Sequence, residues 1–133
     1  HTGNVLSLFL TGDLMMTQDQ FDLLVESRLR QIKSTLIVKG REYSSENDRL
    51  HNFKTAALIQ DIRPDEALWG IAIKHLVSII DRLNSEILPS PNEVHEKVGD
   101  MINYLILLEA VWEDMRHNDY LDLNRNIDRR IIE

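Results

Sequence analysis

The sequence has no cysteine, only three prolines and only five glycines in 133 residues. Without thiols there is no disulfide scaffold, no thiolate metal site and no cysteine nucleophile. The same absence fits a reducing, cytoplasmic compartment. Any metal must be held by carboxylate, imidazole, amide or water, a donor set that favours magnesium or manganese over zinc. The scarcity of proline and glycine permits long helices. Basic residues are also in deficit: 15 Lys and Arg stand against 22 Asp and Glu, a net charge of −7. That sign argues against stable binding to duplex nucleic acid. A small polyanion remains compatible, because a divalent cation can bridge phosphates to carboxylates. No apolar run approaches the roughly 20 residues that span a bilayer, so no membrane partner is expected. Residues 5–10 (VLSLFL) are short and follow no basic segment. Met15 and Met16 look like a natural start, so residues 1–15 are expected to be a leader or vector-derived segment without a functional role.

What is present reads as helix. Thr17 and Gln20 have capping-box spacing, and Phe21, Leu24, Val25, Leu29, Ile32 and Leu36 recur at helical intervals. A helix is therefore expected over 18–38, with that face buried and Gly40 as its stop. Asp48 is placed to cap a short helix over 49–60 carrying Leu50, Phe53, Ala57 and Leu58. Pro64, followed by Asp65 and Glu66, marks a first helical turn, and that helix should run to about residue 83. Ser90, Pro91 and Glu93 open another, continuing to about Met115. The short connection between the last two makes them antiparallel neighbours. Residues 116–133 form a more polar tail, whose Tyr120, Leu121, Leu123, Ile127, Ile131 and Ile132 would let part of it dock as a fifth helix. The expected fold is an all-α antiparallel bundle of four to five helices over 16–115, with that tail appended.

Two helices are more apolar than a surface helix needs to be, and each carries a narrow polar stripe. From Ala67 the chain reads ALWGIAIKHLVSIIDRL, in which Lys74, His75, Ser78, Asp81 and Arg82 follow spacings of three and four. On the next helix Glu93, Glu96, Asp100 and Asn103 do the same amid Val94, Val98, Met101, Ile102, Tyr104 and Leu105. A solvated face or a polar network between helices accounts for such stripes in ordinary proteins. A carboxylate cage accounts for them here if Glu96 and Asp100, at i and i+4, aim at one cation and Asp81 completes it. In the loop over 39–54, Arg41, His51 and Lys54 suit phosphate, Tyr43 and Phe53 suit base stacking, and Asn47 and Asn52 suit reading a base edge. Tyr43 and Phe53 equally suit core anchors. No phosphate-binding glycine loop, dinucleotide fingerprint or nucleophile elbow occurs.

Three stretches, KGREYSSENDRLHNFKTAA (39–57), ALWGIAIKHLVSIIDRL (67–83) and EKVGDMINYLILLEA (96–110), together resemble phage and prophage helical proteins. These are related to the MazG-like all-α nucleoside triphosphate pyrophosphohydrolases and nucleotide-modification-associated domains. That resemblance implies a MazG-like bundle and a homo-oligomer, dimer or tetramer. It implies Mg2+ or Mn2+ held by acids of an EExxE and an ExxD motif, and cleavage of a (d)NTP to the monophosphate and pyrophosphate. Carried over residue by residue, Asp100 matches the aspartate of ExxD, with Tyr104 four residues on. Lys97 stands where the motif's glutamate would be, Glu96 lies one position earlier, and Lys74, His75 and Ser78 stand where the EExxE acids would be. The expected site is thus Glu96, Asp100 and Asp81 on the metal, with Lys74, His75, Asn103, Tyr104, Lys54, His51, Tyr43 and Asn52 around the nucleotide. The rival expectation is a non-catalytic helical phage module that senses a nucleotide or binds a protein.

Overall fold

A computed structural model describes residues 15–42 and 47–132, and these form an all-α bundle. Helix α1 spans Gln18–Lys33, α2 His51–Gln60, α3 Pro64–Leu83 and α4 Pro91–Ile132. Residues 1–14 and Tyr43, to which expectations were attached, lie outside the described residues.

The helix starts obey local chemistry. Thr17 and Gln20 exchange bonds: the Gln20 amide donates to Thr17 Oγ1 at 3.2 Å, and the Thr17 amide to Gln20 Oε1 at 2.9 Å. Each satisfies an amide that the first turn leaves without a partner. At α3 the Arg63 amide donates to Glu66 and the Glu66 amide to Asp65. At α4 the Glu93 amide donates to Ser90 Oγ. Asp48 accepts from the Leu50 amide just before α2. Helix α2 ends at Asp61, which takes a left-handed backbone (φ 55°, ψ 49°) so that the Asp61 and Ile62 amides close back on the last turn.

Two boundaries differ from expectation. Helix α1 ends at Lys33, short of the expected residue 38, but the chain stays helical past Gly40. It widens into a π-helical turn over Ser34–Val38 and tightens into a 3-10 turn over Lys39–Glu42. Helix α4 does not end near Met115 but runs on through residue 132. No glycine or proline follows Gly99 to break it, and bonds from Arg116 to Glu113 and from Asn118 to Asp114 support it across the expected boundary.

The core sits where α2, α3 and α4 meet. Leu50, Leu68, Ala72 and Val111 are buried there, with Phe53, Tyr104, Leu107, Leu108 and Met115 packed around them. Leu68 and Val111 are fully enclosed, each stabilising the fold by about 1.5–3 kcal/mol. Asp65 fastens the far end of α3 to α4: it accepts from Trp112 Nε1 at 3.0 Å and pairs with Arg63 at 2.9 Å. Those bonds, Arg63 first, hold its carboxyl below the ordinary carboxylate value. At the other end Arg82 bonds Glu93 and Lys97 bonds Ser78, so α3 and α4 run antiparallel.

Much apolar surface stays outside this core. The expected buried face of α1 is largely uncovered: Phe21, Leu24, Val25 and Leu29 are exposed, and only Ile32 and Leu36 are half-buried. The reason is that α1 faces α4 with Arg28, Gln31, Ile32 and Thr35, not with its earlier apolar residues. On α3, Trp69, Ile73, Val77 and Ile80 form an exposed row; on α4, Val94, Val98, Leu105 and Trp112 form another. Their spacings of four, three and seven keep each row on one helix face.

Candidate functional site

The polar residues gather on α4 where it meets α1 and the turns that follow. Two grooves open there. The first, about 370 Å3, is lined by Arg28, Gln31, Ile32 and Thr35 from α1 and its extension. Asn92, His95, Glu96, Gly99, Asp100 and Asn103 of α4 form its other wall. The second, about 520 Å3, lies between Leu36, Lys39, Gly40, Arg49, Asn52 and Phe53 on one side and Asp100, Asn103, Tyr104 and Leu107 on the other, with Ile71 of α3. Thr35, Asp100 and Asn103 belong to both, so the grooves adjoin along one strip of α4.

That strip holds the most distinctive chemistry of the molecule. The Asn103 Oδ1 atom is buried and has no hydrogen-bond partner among the described residues. An acceptor left unpaired out of water costs about 1–3 kcal/mol, and folded proteins carry few of them. One turn away, Asp100 Oδ2 lies 3.5 Å from His75 Nδ1. The His75 ring stacks on Tyr104 with centroids 5.0 Å apart and 24° between planes. Burial, and then the Asp100 charge, push the Tyr104 phenol above its ordinary value. Tyr104, which lines the second groove, therefore stays protonated across the physiological range and keeps a hydroxyl able to donate.

The expected residues divide into those brought together and those set apart. Glu96, Asp100, Asn103, Tyr104 and Asn52 line the grooves. His75 is held behind them, its side chain only 19% exposed. Phe53 packs against the core, the structural role anticipated for it, and also lines the second groove. Asp81 and Lys74 are exposed and lie outside both grooves. The cause is helical phase. His75, Ser78 and Arg82 turn toward α4, and each residue just before one of them points about 100° away. Glu93 is engaged by Arg82. Lys54, expected to meet phosphate, instead bridges Asp48 at 2.9 Å and Asp114 at 3.1 Å. Its bond with Asp48 raises the ammonium above the ordinary lysine value and lowers that carboxyl. His51 is exposed and 3.5 Å from Thr55 Oγ1.

The expected cage of Asp81, Glu96 and Asp100 is therefore not built within one chain. Among the described residues, no three His, Asp or Glu side chains group closely enough to hold a metal ion. The set that does share a groove is Glu96, Asp100 and the Asn103 carbonyl. One or two carboxylates, together with waters and substrate phosphates, are the usual ligands of Mg2+.

Reading the stripes missed Arg28, Gln31, Thr35, Lys39 and Arg49, which form the opposite walls. The two glycines beside the arginines carried a signal. A Cβ on Gly99 would lie 2.7 Å from Arg28 Nη1, and one on Gly40 would lie 2.6 Å from Arg49 Nη2. Both guanidinium groups rest on bare backbone.

Comparison of the chain with family models, curated proteins and solved structures returns no match. No helix among the described residues is long and apolar enough to cross a membrane.

Proposed function

We propose that the adjoining grooves form one binding site for a nucleoside polyphosphate, and that nucleotide binding is this chain's function. The observation that carries the proposal is the unpaired, buried Asn103 Oδ1 on the strip common to both grooves. It asks for a hydrogen-bond donor from a ligand, such as a base amino group or a sugar hydroxyl. The surroundings suit the rest of a nucleotide. Phe53 and Tyr104 offer aromatic surface for a base, and Lys39 and Arg49 offer charge for phosphates. The pattern at 39–57, 67–83 and 96–110, similar to MazG-like proteins, supports the same ligand class.

Magnesium-dependent cleavage to the monophosphate and pyrophosphate is the second reading, favoured by Glu96 and Asp100 lining one groove. In that reading Glu96, Asp100 and Asn103 hold the ion beside the ligand's phosphates, and the ion supplies charge neutralisation and a more acidic bound water. Non-catalytic sensing is favoured by Lys97, which bonds Ser78 where an acidic ligand would stand. A second copy of the chain is proposed to cover the apolar rows of α3 and α4. About 800 Å2 per partner is usual for a stable interface, and eight large apolar side chains stand exposed there. The phage context implied by the resemblance is part of the same proposal.

The purified chain is incubated with each of the eight common nucleoside triphosphates, with and without Mg2+, while binding and pyrophosphate release are followed. Binding without release supports the sensor. Release that Asp100→Ala abolishes supports the hydrolase. Absence of both in a folded, helical sample rejects the nucleotide site.

A further inference from the structure

Lys39 and Arg49 stand on the wall of the second groove opposite Asp100 and Asn103. Neither cation has a carboxylate within ion-pair distance among the described residues, whereas the nearby Lys54 has two. Asp48, the residue before Arg49, is taken by Lys54. Two cations on one groove wall without a carboxylate partner among the described residues favour a bound anion.

Gly40 shows that the guanidinium position is built in. Its own backbone is not left-handed; what calls for glycine is space. A methyl group there would meet Arg49 Nη2 at 2.6 Å, Nε at 3.0 Å and Cζ at 3.1 Å. The whole planar head lies against the backbone of the 3-10 turn, and Gly40 itself is buried beneath it. A guanidinium held flat in this way keeps its fork of donors in a fixed orientation, the property that suits arginine to phosphate.

We propose that Lys39 and Arg49, seated by Gly40, bind the terminal phosphates of the ligand, so that the nucleoside end meets Asn103 and Tyr104 across the groove. This rests on the nucleotide reading for the nucleoside half only. With no bridging cation present, the polarity follows from charge: the Asp100 carboxylate repels phosphate from the α4 wall and accepts donors from base or sugar. Selectivity follows from it as well. A triphosphate reaches both walls at once, and a nucleoside or monophosphate reaches only one.

The test is calorimetric titration of the full chain with sodium tripolyphosphate, ATP, AMP and adenosine, repeated on Arg49→Ala, Arg49→Lys and Gly40→Ala, with circular dichroism to establish folding. Loss of one charge-assisted contact corresponds to about tenfold to hundredfold in Kd. Arg49→Ala is expected to weaken both tripolyphosphate and ATP by that factor and to leave adenosine unchanged. Arg49→Lys is expected to weaken them less, and Gly40→Ala to act like Arg49→Ala by displacing the head. If Arg49→Ala does not fold, Lys39→Ala takes its place with the same expectation. ATP binding that is indifferent to Arg49 and Lys39 overturns the phosphate seat and leaves the nucleotide site standing. Tripolyphosphate binding that depends on Arg49, with ATP no tighter and adenosine silent, upholds the seat and overturns the nucleoside half.

Discussion

His75 lies nearly parallel to Tyr104, ring centroid to ring centroid at 5.0 Å. The contact joins the middle of α3 to the strip of α4 shared by the two grooves, and it orients the Tyr104 ring at the second groove. Aromatic stacking contributes about 0.5–1.5 kcal/mol beyond area burial. His75→Ala is expected to lower unfolding stability by about 1–2 kcal/mol. His75→Phe keeps the stack and is expected to stay within about 0.5–1 kcal/mol of the parent. Urea denaturation of the three proteins checks this, and equal losses in both variants would show that stacking is not what His75 provides.

Acid should unfold the protein through Asp65 and Asp48. Both carboxyls are held below their ordinary value, by the Arg63 and Lys54 bonds respectively. A carboxyl lowered in the folded state contributes stability that is present above its unfolded pKa, about 3.9, and is lost as pH falls through the lower folded value. Thermal melts between pH 7 and pH 2 are expected to be flat above about pH 5 and to fall below about pH 4. Asp65→Asn should be less stable at pH 7 and lose less on acidification. An unchanged acid limb in that variant would remove Asp65 from the explanation.

The metal-binding expectation separates three acids that look alike in the sequence. On the hydrolase reading, in which a divalent ion bridges phosphate to α4, Mn2+ binding in the presence of ATP, followed by electron paramagnetic resonance, is expected to be untouched by Asp81→Asn. Glu96→Gln and Asp100→Asn should each weaken it about tenfold or more, the scale of one charge-assisted contact. Equal weakening by all three variants would mean that Asp81 joins the site across a subunit boundary.

Light scattering tests the apolar rows. The parent is expected at a multiple of 15.5 kDa. A double substitution, Val98→Glu with Leu105→Glu, is expected at the monomer mass, because two like charges placed in an apolar contact are costly to desolvate. Neither residue lines the two adjoining grooves, so any affinity for nucleotide should persist. A parent that is already monomeric would remove the second copy.

Much of this architecture is written in local chemistry. Thr17 with Gln20, Pro64 and Ser90 with Pro91 mark helix starts, because caps act within four residues and need no knowledge of the rest of the chain. The polar strip of α4 was visible for the same reason: Glu96, Asp100 and Asn103 share a face by periodicity alone. Asp81 was misplaced because periodicity says which residues share a face and not which face meets the neighbouring helix. Only the register seen in Ser78 with Lys97 and Arg82 with Glu93 decides that. The burial expected of Phe21 and Leu29 depends on what covers α1, which no periodicity contains. Lys39 and Arg49 resemble any surface cations until Gly40 is seen against the guanidinium.

The most direct measurement is an NMR titration of the isotopically labelled chain with a non-hydrolysable ATP analogue and Mg2+. Saturable shifts concentrated at Asn103, Tyr104, Lys39 and Arg49 are the expected result. Shifts confined to the Trp69 and Trp112 face, or none at millimolar ligand, would contradict the assignment of the adjoining grooves to a nucleotide.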